Sequence, residues 1–163
     1  SRNMVLAFGI KHIIIDKTRS RDITDSKYLG NTAILHSKPA ITTESGYLGK
    51  TDEESILQNV EGILSVMKLL AMIEGEPKFV SDPVWFDYYE VIYSKIDGLF
   101  YPLTKMGYYV LEGEKMGYIT DYFGEIKREL RAPFSGMVLY IINTPPANKG
   151  EPLFEIGRIK EKF

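Results

Sequence analysis

The sequence predicts an α/β part followed by an all-β part. In residues 1–75, segments rich in β-branched residues alternate with segments of helical periodicity, which is the pattern of α/β folds. From residue 76 onwards, aromatic and β-forming residues dominate and glycines separate short alternating segments, which is typical of all-β structure. We therefore expect a domain boundary near residue 76, with one domain over 1–75 and a β-rich domain over 76–163.

The first part predicts two buried strands and a short helix between them. A β-branched run within 11–16 predicts the first strand. A helix is predicted over 28–35, and Pro39 ends it because proline disfavours the helical conformation of the residue before it. The second buried strand is predicted over 40–43, directly before Glu44.

The clearest helical signal follows this second strand. Thr51 and Glu54 have the spacing of a capping box, in which each side chain satisfies a backbone N–H at the start of a helix. Apolar residues then recur at helical spacing: Ile56, Val60, Ile63, Met67 and Leu70, with Leu57, Leu64 and Ala71 beside them. The helix is expected to end near Ile73, before a Gly and a Pro.

The β-rich part contains an internal near-repeat. Residues 110–119 resemble residues 147–156, and each copy has a Gly-Glu turn ahead of an apolar strand. Glycine supplies the positive φ that tight turns need. Two similar halves joined by the segment 131–138 resemble the barrel-sandwich fold of biotinyl and lipoyl domains.

Composition excludes several classes of function. The 163 residues contain 20 Lys and Arg against 22 Asp and Glu, with no basic run of the kind that binds a phosphate backbone, so nucleic acid is not an expected partner. No cysteine is present, which fits a cytoplasmic protein and removes disulfides and thiolate metal sites. Apolar runs such as 13–15 are far too short to cross a bilayer, so no membrane partner is expected.

Glu44 is the leading candidate for a catalytic residue. It follows a predicted buried strand and precedes a Gly-bearing loop, and ligands collect at the carboxyl ends of strands in α/β sheets. A carboxylate there is suited to take a proton from a metal-bound water and to deliver it to a leaving amine. The alternative is that Glu44 only solvates a strand end, and its position alone leaves both interpretations open.

Several segments, taken in order, resemble the succinylglutamate desuccinylase/aspartoacylase family. The run 39–46, followed by a helix ending in 69–73, resembles the family segment that carries the catalytic glutamate, and residues 7–9 resemble the run before it. The segments 97–103 and 121–124 resemble the appended β domain of the subgroup that includes N-acetyl-diaminobutyrate deacetylases. The resemblance covers nearly the whole chain and corresponds to the C-terminal half of such a protein.

The resemblance implies a carboxypeptidase-like α/β domain that deacylates small N-acyl amino acids, with zinc as cofactor and Glu44 as general base and then acid. The family binds zinc through a His-x-x-Glu pair and a later histidine, all ahead of the matched segment. Here His12 is followed three places on by Ile15, and His36 by Pro39, so neither begins that motif. We expect zinc in the parent protein, no ligands for it in this chain, and no activity of this chain alone.

The β-rich part has features that bear on three other functions. A biotinyl or lipoyl carrier needs a lysine at a hairpin tip, whereas the matching segment 121–125 has none and Lys127 lies beyond it. The aromatic run 85–93 is expected to pack a small core in preference to forming an interface, and the charged run 125–131 to be a solvated strand face. A non-catalytic binding protein that reuses the same folds remains the alternative function. Uncovered strand edges and an uncovered helix face predict self-association, so a homo-oligomer is expected.

Overall fold

The chain, in a computed structural model that describes residues 1–46 and 49–160, divides into two compact units. The first unit comprises Ser1–Val84 and the second Trp85–Phe163. None of the helices in the described ranges combines the length and the apolar character that a bilayer crossing requires. The structure is thus a mixed α/β unit followed by a β unit, and the domain limits inferred from the sequence stay a prediction.

The first unit is built mainly from helices. Its described elements are α1 (Arg2–Phe8), β1 (His12–Ile14), a 3₁₀ turn (Ile23–Asp25), α2 (Leu29–Leu35) and α3 (Glu53–Leu69). The helix predicted over 28–35 is confirmed, with Tyr28 as its N-cap residue. The strand predicted over 11–16 is present but shorter, and only its central residue, Ile13, is buried.

Residues 40–43 do not form the buried strand that the sequence predicts. Their backbone is irregular and their side chains are exposed or half-buried. A buried strand needs neighbours that satisfy its backbone N–H and C=O groups, and no strand of the described residues pairs with this segment. The Ala40 N–H instead donates to the Ser1 hydroxyl at 3.1 Å. Residues with β propensity form a strand only where neighbouring strands pair with them, so the prediction over 40–43 is wrong.

Helix α3 begins and ends differently from the prediction. Its N-cap is Asp52, whose carboxylate accepts the backbone N–H of Ser55 at 2.8 Å, so the predicted capping box of Thr51 and Glu54 is wrong. A carboxylate satisfies a free N–H at a helix start as well as a hydroxyl does. The helix ends at Leu69, before the predicted Ile73, and Ala71 follows at a positive φ of 55° that no helix continues through.

Small residues form the buried side of α3. A Cβ added to Gly62 would lie 2.7 Å from the Phe8 carbonyl oxygen and 2.9 Å from two of its ring carbons, so α1 approaches α3 closely at this point. Ser65 is also buried, and its hydroxyl accepts the Lys78 N–H at 2.9 Å and donates to the Lys78 carbonyl at 3.0 Å. Gly62 and Ser65 are therefore the buried residues of α3, and no residue of the apolar stripe is fully buried.

The apolar stripe of α3 faces solvent. Five aliphatic side chains on this helix are between 43% and 55% exposed: Ile56, Leu57, Val60, Ile63 and Leu64. We call them the exposed α3 face. Contiguous apolar surface of this kind on a protein marks a contact site or an aggregation liability.

The second unit consists of antiparallel strands in two sheets. The strands are β2 (Val84–Tyr93), β3 (Gly98–Pro102), β4 (Tyr109–Val110), β5 (Lys115–Thr120), β6 (Ile126–Arg131), β7 (Gly136–Ile141), β8 (Pro146–Ala147) and β9 (Pro152–Ile159). In one sheet β2, β9, β7 and β4 are neighbours in that order. The other has the order β6-β5-β3-β8. The described strands form no closed barrel, and the finer barrel-sandwich assignment stays a prediction.

The internal repeat of the sequence corresponds to two matching turns. Gly113 and Gly150 take positive φ angles of 79° and 89°, which glycine adopts without steric cost. The Glu114 carboxylate accepts the backbone N–H of the residue three positions earlier at 2.8 Å, and Glu151 does the same at 2.7 Å. Both turns are therefore built by the same two residue types in the same roles.

Each turn is fixed to the residue that follows a long strand. The N–H of the first turn glycine donates to the Ala132 carbonyl at 2.9 Å, and the second does so to the Ser94 carbonyl at 2.8 Å. The N–H groups of Ala132 and Ser94 donate back to the turn glutamates at 2.9 and 2.8 Å. Because Ser94 follows β2 and Ala132 follows β6, these two strands hold equivalent places in the two halves.

The core of the second unit lies between the two sheets. Its buried residues come from both: Phe100, Val110, Met116, Ile119, Leu130, Ala132, Val138, Ala147, Leu153, Phe154 and Ile156. The rings of Phe100 and Phe154 meet edge to face with centroids 5.2 Å apart, a favoured aromatic geometry. The near-repeat thus supplies both sheets with large apolar residues at matching positions.

Candidate functional site

Glu44 lies in the irregular segment between α2 and α3, and its side chain is exposed. Within the described ranges its carboxylate makes no hydrogen bond or ion pair. The predicted site residue is therefore accessible to solvent.

The residue after Glu44 fixes the segment to α3. The Ser45 hydroxyl is hydrogen-bonded to the side-chain amide of Asn59, which also donates to the Ser55 carbonyl at 2.9 Å. Asn59 lies in the second turn of α3, so the segment that carries Glu44 runs beside the start of this helix. Tyr47 and Leu48, which the sequence places in the loop after Glu44, lie outside the described residues.

The start of α3 adds negative charge close to this segment in sequence. The backbone N–H of Ser55 lowers the pKa of the Asp52 carboxyl below its usual value by hydrogen bonding, with help from the Ser55 side chain. Glu53 and Glu54 occupy the first turn, where carboxylates are stabilised by the helix dipole. These carboxylates have a structural role at the helix end, and among the neighbouring acids Glu44 alone lies outside that role.

The two histidines lie on different elements. His12 begins β1, and desolvation, with the charge of Lys11 as a smaller cause, lowers its pKa below the usual 6.5. His36 is the C-cap residue of α2 and is exposed. Among residues 1–46 and 49–160 there is no group of three or more His, Cys, Asp or Glu that could hold a metal ion. A zinc site needs three or four convergent donors, so the described residues do not fit zinc.

The hairpin tip between β5 and β6 is well ordered by its own contacts. The Asp121 carboxylate accepts the N–H groups of Phe123 and Glu125 at 2.9 and 3.0 Å, and it also pairs with Lys127 at 3.2 Å. Phe123 is 97% exposed. The tip therefore presents an aromatic residue where a carrier domain would present a lysine, and Lys127 is held in ion pairs at the start of β6.

The aromatic run 85–93 is only partly a core strand. Phe86 is fully buried, and Ile92 packs against the core of the second unit. Tyr88 and Tyr93 are exposed. The Tyr88 ring meets Phe134 edge to face at 5.3 Å. Simple alternation along β2 does not explain the division, because Phe86, Tyr88 and Ile92 are separated by even numbers of residues. The register of β2 with β9 shifts between Phe86 and Tyr88 and again between Ile92 and Tyr93.

A cleft of about 300 Å³ in the second unit is absent from the sequence-based predictions. Its walls are the ends of the two equivalent strands, with residues Glu90, Val91, Ile92, Tyr93 and Lys95 on one side and Arg128, Glu129, Leu130, Arg131 and Pro133 on the other. We call it the β2–β6 cleft. The sequence predicts that the charged side chains of 125–131 are exposed to solvent. Most of them are exposed, but Arg128 is half-buried. The internal repeat, 110–119 and 147–156, contains none of the cleft residues, so no signal in the sequence pointed to the cleft.

Comparison with solved structures relates the whole chain to one family of proteins. A succinylglutamate desuccinylase from Silicibacter sp. TM1040 superposes over 97% of this chain with a TM-score of 0.81 and 21% identity. A succinylglutamate desuccinylase/aspartoacylase from Rhodobacter sphaeroides superposes over 99% with a TM-score of 0.79 and 20% identity. The product-bound ectoine utilization protein EutE (DoeB) from Ruegeria pomeroyi superposes over 96% of this chain with a TM-score of 0.81 and 18% identity. The resemblance read from the sequence is thus confirmed at the level of the fold.

The chain spans about half the length of these structures, namely 48%, 49% and 48% of the three chains. No protein-family model matches the chain, and the search of curated proteins gave no match. The fold of this chain is therefore that of one half of a succinylglutamate desuccinylase/aspartoacylase-type deacylase.

Proposed function

We propose that this chain is the C-terminal half of a hydrolase that removes the acyl group from small N-acyl amino acids. The observation that carries the proposal is the superposition of 97% of this chain on 48% of a succinylglutamate desuccinylase. Similarity over a whole chain argues that both units were built together, as parts of one larger protein. A product-bound neighbour of the same fold supports a small-molecule substrate.

Glu44 is the residue that we assign to proton transfer. Its carboxylate is exposed, without a partner in the described ranges, and beside the start of α3. A general base has to be free to take a proton from water and to give it to the leaving amine. The other carboxylates of this region, such as Asp52, are occupied in capping the helix.

Zinc is part of the proposal for the parent protein only. His12 and His36 lie on separate elements and the described residues offer no third donor beside them. The metal of a deacylase of this type would therefore be held by residues of the other half. For this chain alone we expect no hydrolysis.

The exposed α3 face gives the proposal a physical basis. Its five aliphatic side chains are each about half exposed to solvent, whereas a helix of a globular protein normally buries such a stripe against its neighbours. We infer that the other half of the protein covers this face. A non-catalytic binding protein is the second candidate, because an exposed apolar face also suits a separate protein partner.

The test compares two forms of the protein on N-acetyl and N-succinyl amino acids with zinc added. This chain alone should give no turnover, and the product of the complete gene should hydrolyse at least one of the substrates. Turnover by this chain that Glu44→Gln abolishes would contradict the expected inactivity. An upstream sequence without His-x-x-Glu and a further histidine would favour the non-catalytic binding protein.

A further inference from the structure

The β2–β6 cleft has the features of a binding groove for an extended chain. It lies wholly within the second unit, where the ends of β2 and β6 form its two walls. Strand β6 stands at the end of its sheet and pairs only with β5 in the strand order of the described residues. The other edge of β6 therefore presents backbone N–H and C=O groups to which a further strand can hydrogen-bond.

The apolar floor of the cleft comes from residues that also build the core. Leu130 is 4% exposed, and Ile92 packs against the core cluster from the opposite wall. Arg128 lies two positions before Leu130 on the same strand, so both side chains leave β6 on the same face. A half-buried arginine thus stands above an apolar floor, which is a favourable place for a ligand that carries both an acid and an apolar group.

The charge of the cleft favours an anionic ligand. Arg128 and Lys95 have no hydrogen-bond or ion-pair partner in the described part of the chain. The acid nearest to Arg128 on its own strand, Glu129, is already engaged by Lys115 at 2.6 Å and by Arg131 at 2.7 Å. On the other wall, Glu90 accepts only the Tyr88 hydroxyl at 3.3 Å. Three cations therefore face two carboxylates, and two of those cations are uncommitted.

We propose that the β2–β6 cleft binds an extended acidic peptide segment, which adds to the free edge of β6 and places carboxylates against Arg128 and Lys95. Strand addition uses main-chain hydrogen bonds for affinity and alternate side chains for specificity. In a segment that alternates acidic and apolar residues, all the acids share one face of the added strand. That acidic face would lie on the side from which Arg128 leaves β6. This binding site does not depend on the deacylase proposal.

The experiment uses the whole chain and a fluorescein-labelled hexapeptide of alternating glutamate and valine, followed by fluorescence anisotropy. Arg128→Ala should weaken binding by about tenfold or more, because a charge-assisted hydrogen bond contributes on the order of 1.5–3 kcal/mol. Arg128→Gln serves as a second variant of closer size, and far-UV circular dichroism checks that both variants fold. Lys127→Ala is the matched control, because Lys127 is the neighbouring cation and is paired with Asp121 and Glu125; it should change binding less than about twofold.

Three further probes distinguish the possible occupants. A hexapeptide with alternate N-methylated amides cannot add as a strand and should not bind, and a lysine-valine hexapeptide should not bind either. Backbone amide shifts in nuclear magnetic resonance should move at residues 126–131 on addition of the acidic peptide. The proposal is overturned if the N-methylated peptide binds equally well, if free glutarate competes at the same concentration as the peptide, or if Lys127→Ala weakens binding as much as Arg128→Ala.

Discussion

Polar substitutions on the exposed α3 face should leave the stability of the chain nearly unchanged. In a helix whose apolar stripe is buried, replacing two of its aliphatic residues by glutamine costs several kcal/mol. Here Val60 and Ile63 are 49% and 55% exposed, and the buried residues of the helix are Gly62 and Ser65. We therefore expect the double variant Val60→Gln, Ile63→Gln to unfold with nearly the same free energy as the original chain.

The magnitude follows from exposure and helix propensity. Surface substitutions away from special features change stability by about 0.5 kcal/mol or less each, and glutamine is a better helix former than valine or isoleucine by a few tenths of a kcal/mol. The same double substitution should weaken self-association of the chain much more than it changes stability. Fully burying an aliphatic side chain contributes about 1.5–3 kcal/mol, so covering the exposed half contributes about 1 kcal/mol. Two residues in each of two copies then give up to about 4 kcal/mol, or nearly a thousandfold in the dissociation constant.

The assay is urea unfolding followed by circular dichroism, together with sedimentation velocity for the state of association. The original chain should self-associate, and the double variant should unfold at a similar urea concentration and sediment as a smaller species. Glu61→Gln, an exposed polar position of the same helix, is the control and should change neither. A loss of stability above about 2 kcal/mol, or a clean monomer for the original chain, would refute the reasoning.

Two further predictions concern packing and acid stability. Gly62→Ala should destabilise the first unit by about 1–3 kcal/mol, because the new Cβ would lie 2.7 Å from the Phe8 carbonyl oxygen. In the control Gly30→Ala in α2, the new Cβ would meet only the Thr42 hydroxyl oxygen, at 3.5 Å, so this variant should be neutral or slightly stabilising. Hydrogen exchange of the helix amides measures both effects, and equal effects would show that the close approach of α1 is unimportant. The second unit should lose stability in acid. Backbone hydrogen bonding at Glu125, with Lys127 as a smaller cause, lowers the pKa of Asp121 below its usual 3.8. Hydrogen bonds from Lys115 and then Arg131 lower the pKa of Glu129 below its usual 4.5. Because the folded-state pKa values are lowered, this stabilisation is complete above the usual pKa values and is lost as the pH falls through the lowered pKa values. The urea midpoint of Asp121→Asn should therefore change less with pH than that of the original chain, between about pH 5 and 2. An unchanged pH profile would contradict the assignment.

Local signals in the sequence predicted local structure well. The helix over 28–35 and the two Gly-Glu turns are confirmed, because each depends on residues close together in the chain. The capping box at Thr51 failed for a local reason as well, since Asp52 is one residue nearer to the helix and caps Ser55 itself. Neighbouring residues that can play the same role are not distinguished by spacing alone.

Features that depend on distant partners were harder to predict. Residues 40–43 have strand propensity but no paired strand in the described chain, and the apolar periodicity of α3 predicted the stripe without saying whether anything covers it. Glu44 was proposed because it follows the predicted strand 40–43 and because its segment resembles the family's catalytic segment. The structure does not form that strand, so the argument from the end of a strand is lost and the resemblance alone supports Glu44. The β2–β6 cleft joins two strands far apart in sequence, so the half-buried position of Arg128 could not be read from β6 alone.

Hydrolysis of N-acetyl and N-succinyl amino acids by the product of the complete gene, with and without Glu44→Gln, tests the central claim most directly. Glutamine keeps the size of the side chain and cannot accept the proton, so we expect turnover to fall by about a hundredfold to ten-thousandfold, as loss of a general base does. The original and variant proteins should bind zinc equally, because Glu44 is not assigned as a ligand. Full activity of the Glu44→Gln protein would contradict the assignment of this carboxylate as the proton-transfer residue.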